Sequence, residues 1–426
     1  MKLEAPSARV VRTRGTAALA VVILISLIAT LVVVNSDVAK AQAGAIKPAP
    51  CKNGNASGLP CKNIDLVGYV EPSVMGGARI ADVWGWVDPA TKKEYAVLGG
   101  TGGVQFLDVT KPGAPVYLGR IPLKAPLVWQ EIEILNDHAY IVCDLDPCGL
   151  QIFDLKRLTG PEAALPVWRP DVVLPIGATH SIDANPATNH IFLNGGGVAV
   201  GTPYILDVSQ PLAPVPVGVI ADDGYTHDSL CRNYKGPDKG YKGNEICFNF
   251  NEDTVTIYDV TSNPMQPVQL ARATYENASY THSGALSKDH RTLISTDEGD
   301  EQAHGIRSTL YIWDISRLTA PKMIGTYVAP SGAIDHNVYS EEDALYHANY
   351  VNGFRILDLK NAHKGKLSEV AYIDTVPLSD TPEFSGAWAA YPYLPSGNML
   401  VGSMTGGLFI VRPEAAVLRE LGVTRK

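Results

Sequence analysis

The chain has 426 residues, is 46% hydrophobic and 19% charged, and carries 39 glycines and 30 prolines. That composition suits a folded, turn-rich protein and excludes an intrinsically disordered one. The net charge of −9, with no basic stripe, argues against nucleic acid as a partner, because phosphate binding needs clustered Lys and Arg.

Residues 1–43 read as an export segment. Lys2, Arg9, Arg12 and Arg14 precede an apolar run from Thr16 to Val34, and the small residues of "VAKAQAGA" follow. This is the plan of a secretory signal peptide, with cleavage expected after Ala41 or Ala43. The apolar run is also long enough to stay in the bilayer as an N-terminal signal anchor. Either way the body of the protein is expected outside the cytoplasm, secreted or tethered by that segment alone. Residues 44–63 read as an exported linker. Six cysteines fall into three close pairs, Cys51/Cys61, Cys143/Cys148 and Cys231/Cys247. An even count at short spacing in an exported chain points to disulfides, with the pairing left open.

From residue 64 onward the chain repeats itself. "GVQFLDVTKPGAPVYLG", "GLQIFDLKRLTGP", "PYILDVSQPLAPVPVG", "TVTIYDVTSNPMQPV", "TLYIWDISRLTAPKMIG" and "GFRILDLKN" share one pattern, and "GLFIVRPE" is a degenerate seventh copy. The shared acid is Asp108, Asp154, Asp207, Asp259, Asp314 and Asp358, with Arg412 in the seventh place. Spacings of 44 to 55 residues with strand-like units point to a β-propeller. The expected fold is all-β, a seven-bladed propeller over residues 64–426, each copy supplying the third strand of a blade. The last copy has no fourth strand after it. "IDLVGYV" (Ile64–Val70) resembles the fourth strands "PVYLGRI" and "PKMIGTYV" and is expected to close the ring, which abolishes the open edge. Each repeat Asp is read as a turn former whose carboxylate accepts nearby backbone N–H groups.

The repeat unit resembles the LVIVD repeat. "GYTHDSLCRNYKGPD", "STDEGDE", "AIDHNVY" and "GAWAAYPYLPSG" are similar to segments of the exported bacterial "choice-of-anchor B" proteins. The resemblance spans roughly Ile64 to Pro413. It implies a secreted or surface-attached propeller and little about activity.

Four histidines share one register. "ATHSI", "YTHDS", "YTHSG" and "IDHNV" place His180, His227, His282 and His336 at the start of the first strand of four consecutive blades. First strands line a propeller's channel, so these side chains are expected to converge at one mouth, with Glu131, Asp228, Asp335 and Asn337 as nearby polar residues. Converging imidazoles suit Cu, Zn, Fe or Mn. They also suit a structural role, tying each blade to the next. A second cluster, Asp297, Glu298, Asp300 and Glu301 in "TDEGDE", has the carboxylates Ca²⁺ prefers but not the spacing of an EF-hand. Two functions follow as expectations. One is a module that binds an extracellular ligand or protein, with a metal at the channel mouth. The other is a metal-dependent oxidoreductase or hydrolase built on the histidines.

Overall fold

Seven antiparallel sheets are arranged as the blades of a propeller in the computed structural model, which describes residues 46–124, 126–144, 148–160 and 166–425. The blades begin at Ile80, Gln130, Ser181, Asp228, Thr281, Val338 and Ala387. Six sheets have four strands and one has six. Residues 1–43, read above as an export segment, lie outside the described residues. Among the described residues, no helix is long and apolar enough to cross a membrane.

All seven repeat copies are third strands, from Val104–Asp108 in blade one to Gly407–Pro413 in blade seven. The repeat acids explain themselves locally. Asp108, Asp154, Asp207, Asp259, Asp314 and Asp358 each use Oδ1 to accept the N–H two residues on, at 2.7–3.0 Å. That short loop ends the third strand and turns the chain toward the fourth. The pattern the copies share is therefore a strand followed by a carboxylate-built turn. In blade seven Arg412 instead donates to Asn398 Oδ1 at 3.0 Å.

The ring closes as the sequence implies. Ile64–Val70 pairs antiparallel with Gly407–Pro413, from Ile64 opposite Pro413 to Val70 opposite Leu408. Its alternating burial puts Ile64, Leu66 and Val70 in the core and the intervening residues toward solvent. At roughly 1.5–3 kcal/mol per buried aliphatic side chain, those three residues alone contribute several kcal/mol to closure.

The stretch read as a linker carries strands of its own. Asn55–Ala56 and Leu59–Lys62 form a small hairpin, and Cys61 and Lys62 pair with Ile373 and Tyr372 on the outer strand of blade six. This is why that sheet has six strands. A disulfide joins Cys51 to Cys61 and pins the hairpin. The other bridges are Cys143–Cys148 and Cys231–Cys247, the latter linking residues directly opposite on adjacent strands of blade four. Three disulfides and no free cysteine among the described residues fit an oxidising compartment.

Neighbouring blades touch so closely that some positions admit no side chain. A Cβ on Gly218, in the fourth strand of blade three, would lie 2.2 Å from the carbonyl oxygen of Pro264 in the turn of blade four. The inner strands are tied by carboxylates. Asp82 Oδ2 accepts the N–H of Ile132 at 2.8 Å, Glu131 Oε2 that of Ile182 at 3.0 Å, and Asp183 Oδ2 that of Cys231 at 2.7 Å. Each bond runs from one blade to the next.

Candidate metal centre at the channel mouth

The inner strand of each blade starts near the axis, so residues at matching starts become neighbours. His180, His227, His282 and His336 form a continuous arc, with ring centroids 4.2, 4.2 and 4.3 Å apart in succession. Blade seven continues it with Trp388, whose ring lies 5.0 Å from His336.

Three of the four imidazoles have an anchored Nδ1. His227 Nδ1 lies 3.3 Å from the His282 carbonyl oxygen, and His336 Nδ1 lies 2.6 Å from that of Trp388. A carbonyl oxygen only accepts, so Nδ1 carries a proton in both rings. His180 Nδ1 lies 2.9 Å from Asp144 Oδ2. Such second-nitrogen anchoring to a carbonyl or carboxylate is the arrangement that orients metal-binding histidines. His282 differs: its Nδ1 is buried without a hydrogen-bond partner among the described residues.

Glu298 faces the arc. Its Oε2 is 3.7 Å from His282 Nε2, and its Oε1 is 3.3 Å from His336 Nε2. The Tyr350 hydroxyl donates to the same Oε1. An imidazole nitrogen of His227, one of His282 and a Glu298 oxygen all lie within 4.8 Å of one another. Burial, reinforced by the neighbouring charge of His180, holds His227 well below the ordinary imidazole range. Burial, then His227 and His336, does the same to His282. Both rings are neutral at physiological pH, the form that binds metal. Tyr280 packs edge-on against His227 at 5.0 Å, and Gly195 leaves the room that His180 and Tyr225 occupy, since a Cβ there would be 2.6 Å from His180 Cβ.

One residue further along the same strands, a cavity of about 90 Å³ opens in the channel. Asp82, Glu131, Glu133, Asp183 and Asp228 line it against one cation, Arg232, which holds Asp183 through bonds of 2.8 and 3.0 Å. Burial pushes Asp82 and Asp228 up to about 7 and Glu131 and Glu133 well above the usual carboxylate range. Asn337 also lines the cavity and donates to the Trp388 carbonyl.

The acidic run "TDEGDE" is divided by the fold into three environments. Asp297 accepts the Tyr275 hydroxyl and the N–H groups of Ser279, Tyr280 and Gly299, which shapes the loop around it. Glu298 belongs to the histidine arc. Asp300 and Glu301 start a short helix, Asp300–His304, and point at Asp335. The four are therefore not one calcium set. Asp335, expected to line the channel, is fully buried and turned away from it, held by the N–H groups of Asp297 and Thr309. Reading residues along the chain did not separate Glu298 from its acidic neighbours. The strand Thr292–Asp297 ends there, and alternation gives no direction beyond a strand's last residue. Tyr350 and the buried His347 carry no sequence signal distinguishing them from core residues. Trp129, Trp388, Tyr391 and Tyr393 do not make one aromatic surface, since Trp388 packs on His336 and Tyr350 while Tyr391 packs on Trp84.

The chain matches no protein-family model, and no curated protein matches it in sequence.

Proposed function

We propose that this protein is an exported, ligand-binding propeller of the LVIVD-repeat, choice-of-anchor B type, with a transition-metal ion at one mouth of its channel. His227, His282 and Glu298 are the ligands, and His336 stands beside Glu298 as a fourth donor. The observation that carries this reading is the convergence of two neutral, buried imidazoles and a carboxylate within 4.8 Å. A two-histidine, one-carboxylate set suits Fe, Mn, Zn or Cu and leaves coordination positions open for a ligand. The open positions and the adjacent acidic cavity also support the alternative, a metal-dependent oxidoreductase or hydrolase using the same ion as a Lewis acid or redox centre.

The competing role for the arc is purely structural, and the Nδ1 bonds of His227 and His336 to the next blade favour it. Elemental analysis of untagged protein separates the two. One Fe, Mn, Zn or Cu per chain in the wild type, lost in a His227→Ala/His282→Ala double variant that still folds, is the expected result. A metal-free wild type that takes up none of these ions on incubation overturns the proposal.

A further inference from the structure

A second group of acids lies away from the arc and takes no part in the reading above. Asp300, Glu301 and Asp335 offer carboxylate oxygens that all lie within 4.8 Å of one another, and the three residues are 0%, 2% and 0% exposed. Asp300 Oδ2 accepts the Tyr311 hydroxyl at 2.6 Å, and Glu301 Oε1 accepts the Asp335 N–H at 3.1 Å. Asp335 takes the N–H groups of Asp297 and Thr309, at 2.8 and 3.1 Å. No Lys, Arg or His among the described ion pairs reaches any of the three. Two oxygens, Asp300 Oδ1 and Glu301 Oε2, are buried with no hydrogen-bond donor from any other residue among those described, although the two carboxyl groups lie close enough to share a proton.

Buried carboxylates are costly unless paired or bound to a cation, and an orphaned buried oxygen adds to that cost. We propose that Asp300, Glu301 and Asp335 bind a calcium ion through Asp300 Oδ1, Glu301 Oε2 and an oxygen of Asp335. The donors are all oxygen, which selects a hard cation. Magnesium usually keeps several of its waters and is held by one or two carboxylates, whereas three buried carboxylates offer calcium a largely protein-derived set of oxygens. The site joins the Asp300–His304 helix of blade five to the first residues of blade six. The same two segments carry Glu298 and His336, so the ion fixes the backbone on both sides of the mouth. The inference does not depend on a metal among the histidines.

The competing occupant is a proton shared between Asp300 and Glu301. The test uses the whole exported chain, unfolded in EGTA and refolded with or without CaCl₂, with Tb³⁺ as the luminescent probe. Tyr311, bonded to Asp300, is placed to sensitise it. The expected results are one Tb³⁺ per chain displaced by Ca²⁺, and a melting temperature about 3 °C higher at a calcium concentration 100 times Kd. Glu301→Gln keeps the Oε1 acceptor and Asp300→Asn keeps the Oδ2 acceptor, so both remain foldable, and both lose the luminescence and the shift. His282→Ala keeps them. A wild type that shows neither sensitised Tb³⁺ emission nor a calcium-dependent shift overturns the proposal. So does a Glu301→Gln protein that melts higher than wild type at pH 7 with the same terbium response, which assigns the shared proton.

Discussion

Replacing Asp82 by Asn tests whether the channel carboxylates are held in a medium that disfavours their charge. Asp82 is 6% exposed, and burial raises its pKa to about 7 although the N–H groups of Ile132 and Val83 pull it down. An unfolded Asp titrates near 3.9. Between those values the folded state holds a proton the unfolded state has released, so stability falls as pH rises through the window. A difference of about 3 pK units corresponds to about 4 kcal/mol lost by pH 7 and above. Asn carries no charge and escapes this loss. It has one acceptor oxygen where the carboxylate serves two N–H groups, which costs about 1–2 kcal/mol at every pH. The variant is therefore expected to be less stable than wild type by at most about 1 kcal/mol at pH 4.5, where ionisation of the unfolded chain has already cost the wild type about 1 kcal/mol, and more stable by about 2–3 kcal/mol at pH 8. Urea unfolding in EDTA-containing buffer at the two pH values reads the crossover directly. A constant difference at both pH values would show that Asp82 ionises freely in the fold, and the account of the cavity would fail with it.

Two further substitutions probe the joints between blades three and four. Glu245 accepts from Asn185 and Thr188 and pairs with His190 at 2.8 Å; the bond raises His190, and despite opposing burial Glu245 is lowered. Glu245→Gln should cost about 1.5–3 kcal/mol, most between pH 4.3 and 6.5, because the Glu share is lost as pH falls through its lowered value and the His share as pH rises through its raised one; a cost that ignores pH in urea titrations would refute the ion pair. Gly218→Ala should lower stability by about 1–3 kcal/mol by forcing the Pro264 turn outward, and an unchanged melting temperature would show that the joint is slack.

The fold was legible because its signal is repetitive and local. A turn built by Asp259 onto the N–H two residues later needs only its own five-residue stretch, so it recurs wherever the sequence recurs. Ring closure was legible from a deficit, one blade lacking a fourth strand and one unmatched strand resembling the others. The histidine arc was legible because equal positions in equal blades must become neighbours. What the sequence hid depends on single side-chain directions outside strands. Glu298 and Asp300 are two residues apart, yet one faces His282 and the other Asp335, because a strand end and a helical turn intervene. Asp335 and His336 are adjacent yet bond to opposite neighbours, Asp335 to the N–H groups of Asp297 and Thr309 and His336 to the Trp388 carbonyl; both precede the strand that begins at Val338, so no alternation announces their directions. The docking of Leu59–Lys62 on blade six was hidden for another reason: a four-residue strand has too little pattern to be told from a linker.

The two readings of the histidine arc use different atoms, so they do not compete for the same chemistry. The bond from His227 or His336 to the next blade occupies Nδ1 and its proton and leaves Nε2 for the channel mouth. A ring that needed only structural ties would be served equally by a hydroxyl. Ser181 shows this, donating its Oγ to the His227 carbonyl at 2.7 Å, and Ser283 does the same to His336 at 3.3 Å. Blade-to-blade carbonyls are thus already satisfied at two of these positions without an imidazole. His282 makes the point from the other side. It ties nothing through Nδ1, so a tie between blades does not account for its presence; its other nitrogen faces Glu298, which also faces His336. What distinguishes these positions from ordinary inter-blade contacts is the row of close-packed imidazoles opposite an acid, two of them held neutral by burial, and that is the feature a metal ion would use.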